Sequence, residues 1–163
     1  MSVTNTMELY HGSDVEVTEP ECRRNEQNGK RDFSWGFYCT CLFDQAKEWA
    51  LHKAGSGNLG LVNVYEYTPN RSLNILEFED ESEAWLDFMI KCRDGETHNF
   101  DIVEGPVGED RFWKYIDALK QNRITKKAVM KYAKDRNKIT HQICFCTEAA
   151  LKCLKFMECV EVW

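Results

Sequence analysis

Arg31-Asp32-Phe33-Ser34-Trp35-Gly36-Phe37-Tyr38-Cys39-Thr40, continued by Asp44-Gln45-Ala46-Lys47-Glu48-Trp49-Ala50, reads as loop, strand and helix in immediate succession. Gly36 closes a polar segment, and Phe37 to Thr40 is short and rich in aromatic and β-favouring residues. Asp44 is expected to cap a helix whose apolar Ala46, Trp49 and Ala50 share one face. Tyr38 thereby falls on a strand leaving a loop, where a ring either lines a cleft or fills the core.

Working outward, Leu9-Tyr10-His11-Gly12-Ser13 ends the first apolar segment, a strand expected over Met7 to Tyr10. A glycine there lets a ligand approach the backbone. Ser13 to Lys30 is polar, broken by Pro20 and Gly29, with Val15 and Val17 alternating like a short extended piece. Its Arg23, Arg24, Lys30 and Arg31 are either surface basics or partners for a pyrophosphate.

Beyond the Asp44 helix, Gly55-Ser56-Gly57-Asn58-Leu59-Gly60 is a turn and not a phosphate loop, since no Gly-Lys-Ser/Thr follows and Leu61 to Tyr67 alternates as a strand. A further strand is expected over Leu73 to Phe78. Glu79 to Glu83 opens a helix carrying Ala84, Trp85, Phe88, Met89 and Cys92. Phe100 to Val107 reads as a buried strand, followed by helices through Phe112, Tyr115, Ile116 and Leu119 and, after Thr125, through Val129 and Tyr132. His141 to Cys146 is the next strand. Thr147 starts a last helix reaching Leu154, and Met157 to Trp163 closes the chain as a strand.

At 163 residues, with 43% hydrophobic and 29% charged, the chain has the size and make-up of a single domain over residues 1–163. A net charge of −6 argues against nonspecific nucleic-acid binding, and the basic cluster from Lys126 to Lys138 reads as a solvated helix face. Met1 to Thr6 is polar and shows no secretory signal, so the eight cysteines are expected as free thiols in the cytoplasm, without a membrane partner. Cys39/Cys41 and Cys144/Cys146 raise the question of zinc. Residues i and i+2 of a strand share a face, however, and free cysteine packs as a small hydrophobe, so no metal is expected.

Leu-Tyr-His-Gly-Ser at 9–13, Asp-Phe-x-x-Gly-Phe-Tyr-x-Thr at 32–40, Gln45-Ala46 with Trp49-Ala50, the stretch from Asp101 to Asp110 and that from Gln142 to Leu154 together resemble the ADP-ribosyltransferase superfamily. Within it, the chain is most similar to a bacterial family of domains of unknown function, number 3990, and the anchors span nearly its whole length in consistent order. The resemblance implies an α+β fold in which two small, mostly antiparallel sheets form an NAD cleft, with helices flanking them and a helical insertion at about 109–138 as a lid or partner surface.

It implies NAD as substrate and cleavage of the nicotinamide–ribose bond. His11 would hold the ribose, Gly12 the nicotinamide amide and Tyr38 the nicotinamide ring, with Gln142 as the third catalytic residue; Ser13, Arg31, Phe37 and Thr40 complete the expected NAD contacts. Gln142 stands where most superfamily members carry Glu. An amide accepts a ribose hydrogen bond but is neither a base nor a charge. Asp101, Glu104, Asp110 and Glu148 are therefore candidates for the missing carboxylate, and Gln142→Glu is expected to preserve or raise NAD hydrolysis. The acceptor is a protein, nucleic acid or small molecule, and the resemblance also implies a toxin paired with a small neutralising protein. The alternative is a catalytically silent domain of the same fold that binds a nucleotide or a protein.

Overall fold

The computed structural model describes residues 5–22 and 31–163. Arg23, Arg24 and Lys30, read above as either surface basics or partners for a pyrophosphate, lie outside them.

Strand β1 (Met7–Ser13) pairs antiparallel with β3 (Gly60–Tyr67), and β3 with the long closing strand β7 (Leu154–Val162). A second sheet runs in the order β2 (Phe37–Cys39), β6 (Gln142–Phe145), β5 (Ile102–Gly105), β4 (Ile75–Glu77), antiparallel except for β4 against β5. The sheets meet where Tyr10 and Thr40 exchange two backbone hydrogen bonds of 2.8 and 2.9 Å. That bridge fixes His11, the next residue of β1, against the end of β2.

Helix α1 (Phe43–Ala54) lies on the first sheet with Ala46 and Ala50 buried. Its small face lets it sit very close. A Cβ on Gly12 would stand 2.1 Å from the Ala46 carbonyl oxygen, so helix packing demands this glycine as much as any ligand does. The helix begins at Leu42 without a side-chain cap, and Asp44 instead sits in the first turn, where its charge complements the helix dipole.

Helices α2 (Glu83–Arg93), α3 (Asp110–Lys120) and α4 (Lys126–Asp135) cover the second sheet. Trp85, Met89, Phe112, Ile116 and Val129 pack there with Phe33, Tyr38, Val103 and Cys144 in one continuous core. The pair α3–α4, expected as a lid or partner surface, packs its inner face into this core. Ser82 and Thr125 cap α2 and α4 by accepting from the backbone N–H groups of Trp85 and Ala128.

The chain end departs from the sequence reading. Helix α5 is one turn, Glu148–Leu151, and β7 begins already at Leu154. Leu154 and Phe156 alternate with exposed Lys155 and Met157, and they are spent on the core beside Tyr65 and Tyr67. Strand pairing therefore overrides the helical spacing of Leu151 and Leu154. Strand β1 also runs through His11 and Gly12 to Ser13, and Val15 to Val17 forms no strand: Val17 is held by side chains, its N–H donating to Asn63 and its carbonyl accepting from the Tyr65 hydroxyl. No helix among the described residues is long and apolar enough to cross a membrane.

Candidate functional site

Between the sheets lies a cleft of about 580 Å³ lined by His11, Gly12, Arg31, Asp32, Tyr38, Trp49, His52, Lys53, Arg93, Val107, Gly108 and Gln142. It unites residues separated by more than a hundred positions. The first sheet delivers His11, β2 delivers Tyr38 and β6 delivers Gln142.

His11 Nδ1 stands 2.6 Å from the Tyr38 carbonyl oxygen. A carbonyl only accepts, so Nδ1 carries the proton and the neutral ring keeps its lone pair on Nε2. The ring stacks on Phe37, with centroids 4.1 Å apart. Burial lowers the His11 pKa to about 4, offset in part by the bond to Tyr38 and assisted by the charges of Lys53 and Arg31. The unfolded value near 6.5 lies above the folded one, so the unfolded chain takes up a proton first as pH falls. Stability is therefore expected to decline from about pH 6.5 to about 4, by up to ~1.4 kcal/mol per pH unit. The His11 ring protons should show no titration between pH 5.5 and 8 by NMR; a midpoint near 6.5 would contradict the neutral ring.

Tyr38 is both core and cleft residue. Its hydroxyl donates to the Ser34 carbonyl (2.6 Å) and accepts from the Phe33 N–H (3.0 Å), while Arg31 lies over its ring, 5.3 Å from the centroid. Burial holds the hydroxyl protonated, well above its ordinary range. Ser34 adopts φ 71°, a left-handed turn pinned by the Tyr38 hydroxyl. Gly36 is required because a Cβ would meet Cys144 Sγ at 2.4 Å.

Gln142 is buried, and its Nε2 lies 2.9 Å from Asp32 Oδ2 and 3.0 Å from the Pro106 carbonyl oxygen. Both neighbours are acceptors, so the amide nitrogen must face them and Oε1 is left for a ligand. Asp32 is the residue missing from the sequence-based list of carboxylates. Its Oδ1 accepts from Arg93 Nε and Nη2 (3.1 and 2.9 Å) and its Oδ2 from the Gly108 N–H (2.7 Å) as well as from Gln142. Arg93 in turn stacks on Trp113, 3.9 Å from the ring centroid. One carboxylate thus ties the β2 loop, the end of α2, the loop after β5 and the start of β6.

The four carboxylates considered beforehand go elsewhere. Asp101 accepts from Thr147 and from the Asn74 N–H, Glu104 accepts from His141, and Asp110 and Glu148 are exposed. Three expected NAD contacts are also absent from the cleft lining. Ser13 is buried, its hydroxyl accepting from the Val15 N–H; Phe37 is core; and Thr40 is buried and accepts from the Leu42 N–H at the entrance to α1. Trp49, His52 and Lys53, at i, i+3 and i+4 on α1, show a periodicity the sequence does carry; Arg93, Val107 and Gly108 show no local signal. Among the described residues no three His, Cys, Asp or Glu side chains are grouped to hold a metal ion.

Fold and site together define a two-sheet α+β protein with a cleft between its sheets that His11, Tyr38 and Gln142 help to line. The chain belongs to the family described as "Protein of unknown function (DUF3990)", which it matches over residues 7–156. No curated protein and no solved structure matches it.

Proposed function

We propose that this protein is an ADP-ribosyltransferase that binds NAD in the cleft between the two sheets. The observation that supports this most is the convergence of His11, Tyr38 and Gln142, in which the His11 ring and the Gln142 amide each have one polar atom committed to the fold and one acceptor left without a protein partner. His11 Nε2 and Gln142 Oε1 are both acceptors, the complement of a ribose that offers hydroxyl donors. Tyr38 gives the leaving nicotinamide a rigid ring face once the Arg31 guanidinium moves aside. Arg31, His52 and Lys53 give the lining the basic character that a pyrophosphate needs.

In the reaction the bond from ribose to nicotinamide breaks, its electron pair leaves with the ring, and the oxocarbenium carbon is captured by an acceptor nucleophile or by water. Asp32 takes no proton in this scheme, because all four of its hydrogen bonds are already filled by N–H donors. The cleft then works by orientation and by the dipoles of Gln142 and Tyr38. A neutralising protein partner belongs to this proposal through the resemblance alone, and a cytoplasmic site of action through the cysteine usage and the polar first residues. A second reading, a silent nucleotide-binding domain, draws on the same fact about Asp32: among the described residues the cleft presents no carboxylate oxygen free to act as a base.

Incubation with adenylate-labelled NAD, reading nicotinamide release and label transfer separately, decides between them. We expect nicotinamide release, with His11→Ala and Tyr38→Ala each lowering it at least about tenfold, a loss of ~1.4 kcal/mol of transition-state binding. Binding that both substitutions abolish, without turnover by the wild type, establishes the silent domain. Absence of both turnover and calorimetric binding removes NAD from the account.

A further inference from the structure

At the other end of β6 from Gln142 lies a second cavity, of about 310 Å³, lined by Ser34, Trp35, Thr97, His98, Asn99, Phe100, Cys146 and Thr147. Three chemically active groups meet at its wall. Cys146 Sγ is 3.9 Å from His98 Nε2 and 3.5 Å from Cys144 Sγ.

The His98 tautomer follows from its bonds. Nδ1 accepts from the Phe100 N–H (3.1 Å), so the proton sits on Nε2, which faces the Phe33 carbonyl (3.0 Å) and, beyond it, Cys146. Cys144 is fully buried, and burial keeps it a thiol, able to donate S–H. A thiolate on Cys146 would therefore face the Cys144 S–H and, at longer range, an imidazole N–H shared with the Phe33 carbonyl; as a thiol, Cys146 donates to the Cys144 carbonyl (3.6 Å). In keeping with this, the Cys144 thiol and then the His98 imidazole draw the Cys146 thiol below its ordinary value, against its burial and the Asp101 carboxylate. Cys92 on α2, another thiol near this group, is pushed up by burial. Cys146 alone of the three is half-buried and opens on the cavity.

We propose that this cavity is a covalent-modification site, at which Cys146 forms a mixed disulfide with a low-molecular-weight, peptide-like disulfide. The Cys146 thiolate donates its electron pair to one sulfur of the incoming disulfide, forming the new S–S bond. The old S–S bond breaks, and the departing thiolate takes a proton from solvent. The volume and the amide and hydroxyl lining of Asn99, Ser34, Thr97 and Thr147 suit a short peptide thiol, whereas a peroxide would need no such room. The proposal does not rest on NAD chemistry. It reaches the first cleft nonetheless, because the Ser34 carbonyl that accepts from Tyr38 belongs to a residue of the cavity wall.

The test exposes the native protein to oxidised glutathione and maps adducts by peptide mass spectrometry over time. We expect a single adduct at Cys146, none there in Cys146→Ser, and, read at about pH 5 where the thiolate is the minor form, a rate several-fold lower in His98→Gln. Cys144→Ala should slow the reaction while Cys144→Ser, which keeps a donor, restores it; mere packing damage would not be rescued by the hydroxyl. Equal or faster labelling of half-buried Cys22, Cys41 or Cys159 overturns the proposal. So does an unchanged rate at Cys146 in both His98→Gln and Cys144→Ala.

Discussion

Asp32→Ala is expected to remove about 3–5 kcal/mol of stability, the cost of stranding a charge whose partner has been deleted. Asp32 is 5% exposed and meets four N–H donors. Without it the Arg93 guanidinium loses its counter-charge, and the Gly108 N–H and one hydrogen of Gln142 lose their acceptor in a place water reaches poorly. Against a typical total of about 5–15 kcal/mol, such a loss is a large share. For a chain of this size it corresponds to a fall of roughly 10 °C in melting temperature. Asp32→Asn keeps the volume but turns one N–H group towards other donors, so it should recover only part of the loss. Urea unfolding of the three proteins measures this, and an Asp32→Ala midpoint within ~1 kcal/mol of wild type would show that the four bonds do not hold the cleft floor.

The same carboxylate marks the limit of what the sequence discloses. The strands that carry His11, Tyr38 and Gln142 were legible as short apolar runs bounded by loop residues, whereas the grouping of the three side chains was expected through the resemblance alone. Helices α2, α3 and α4 were legible from apolar spacing, and Thr125 from its cap. Asp32 sits in the best-read stretch of all, yet its role depends on Arg93 and Gly108, 61 and 76 residues away. No local period encodes such a partnership. The last helix was misread for a related reason: Thr147 does start a helical turn, but β3 offers Leu154 and Phe156 a strand partner, and a four-residue helix has little cooperativity to oppose that. Gly12 shows the converse. Its absent side chain was attributed to a ligand, and the Ala46 carbonyl gives a sufficient reason within the fold.

Gln142→Glu is the change for which the position of Asp32 argues against the gain in NAD hydrolysis expected from the resemblance. A glutamate in the superfamily position looks like a restored charge, but here its oxygen would replace Nε2, 2.9 Å from Asp32 Oδ2 and 3.0 Å from the Pro106 carbonyl oxygen. Three acceptors would then converge without a donor. Two unit charges about 4 Å apart repel by roughly 4 kcal/mol at an effective dielectric near 20, so the variant must either loosen the cleft or hold a proton between the two carboxyls. Holding the proton raises the pKa of the pair in the folded state above the unfolded value near 4.3. The folded state then binds more protons than the unfolded one, so the penalty is absent below about pH 4.3 and grows as pH rises through the raised value. We expect Gln142→Glu to unfold at clearly lower urea than wild type at pH 8, to recover towards it at pH 5, and to release nicotinamide no faster at either pH. Equal stability of the two proteins from pH 5 to 8, together with faster nicotinamide release by the variant, would mean that Asp32 is not the fixed neighbour of position 142 and that the cleft accepts a second carboxylate.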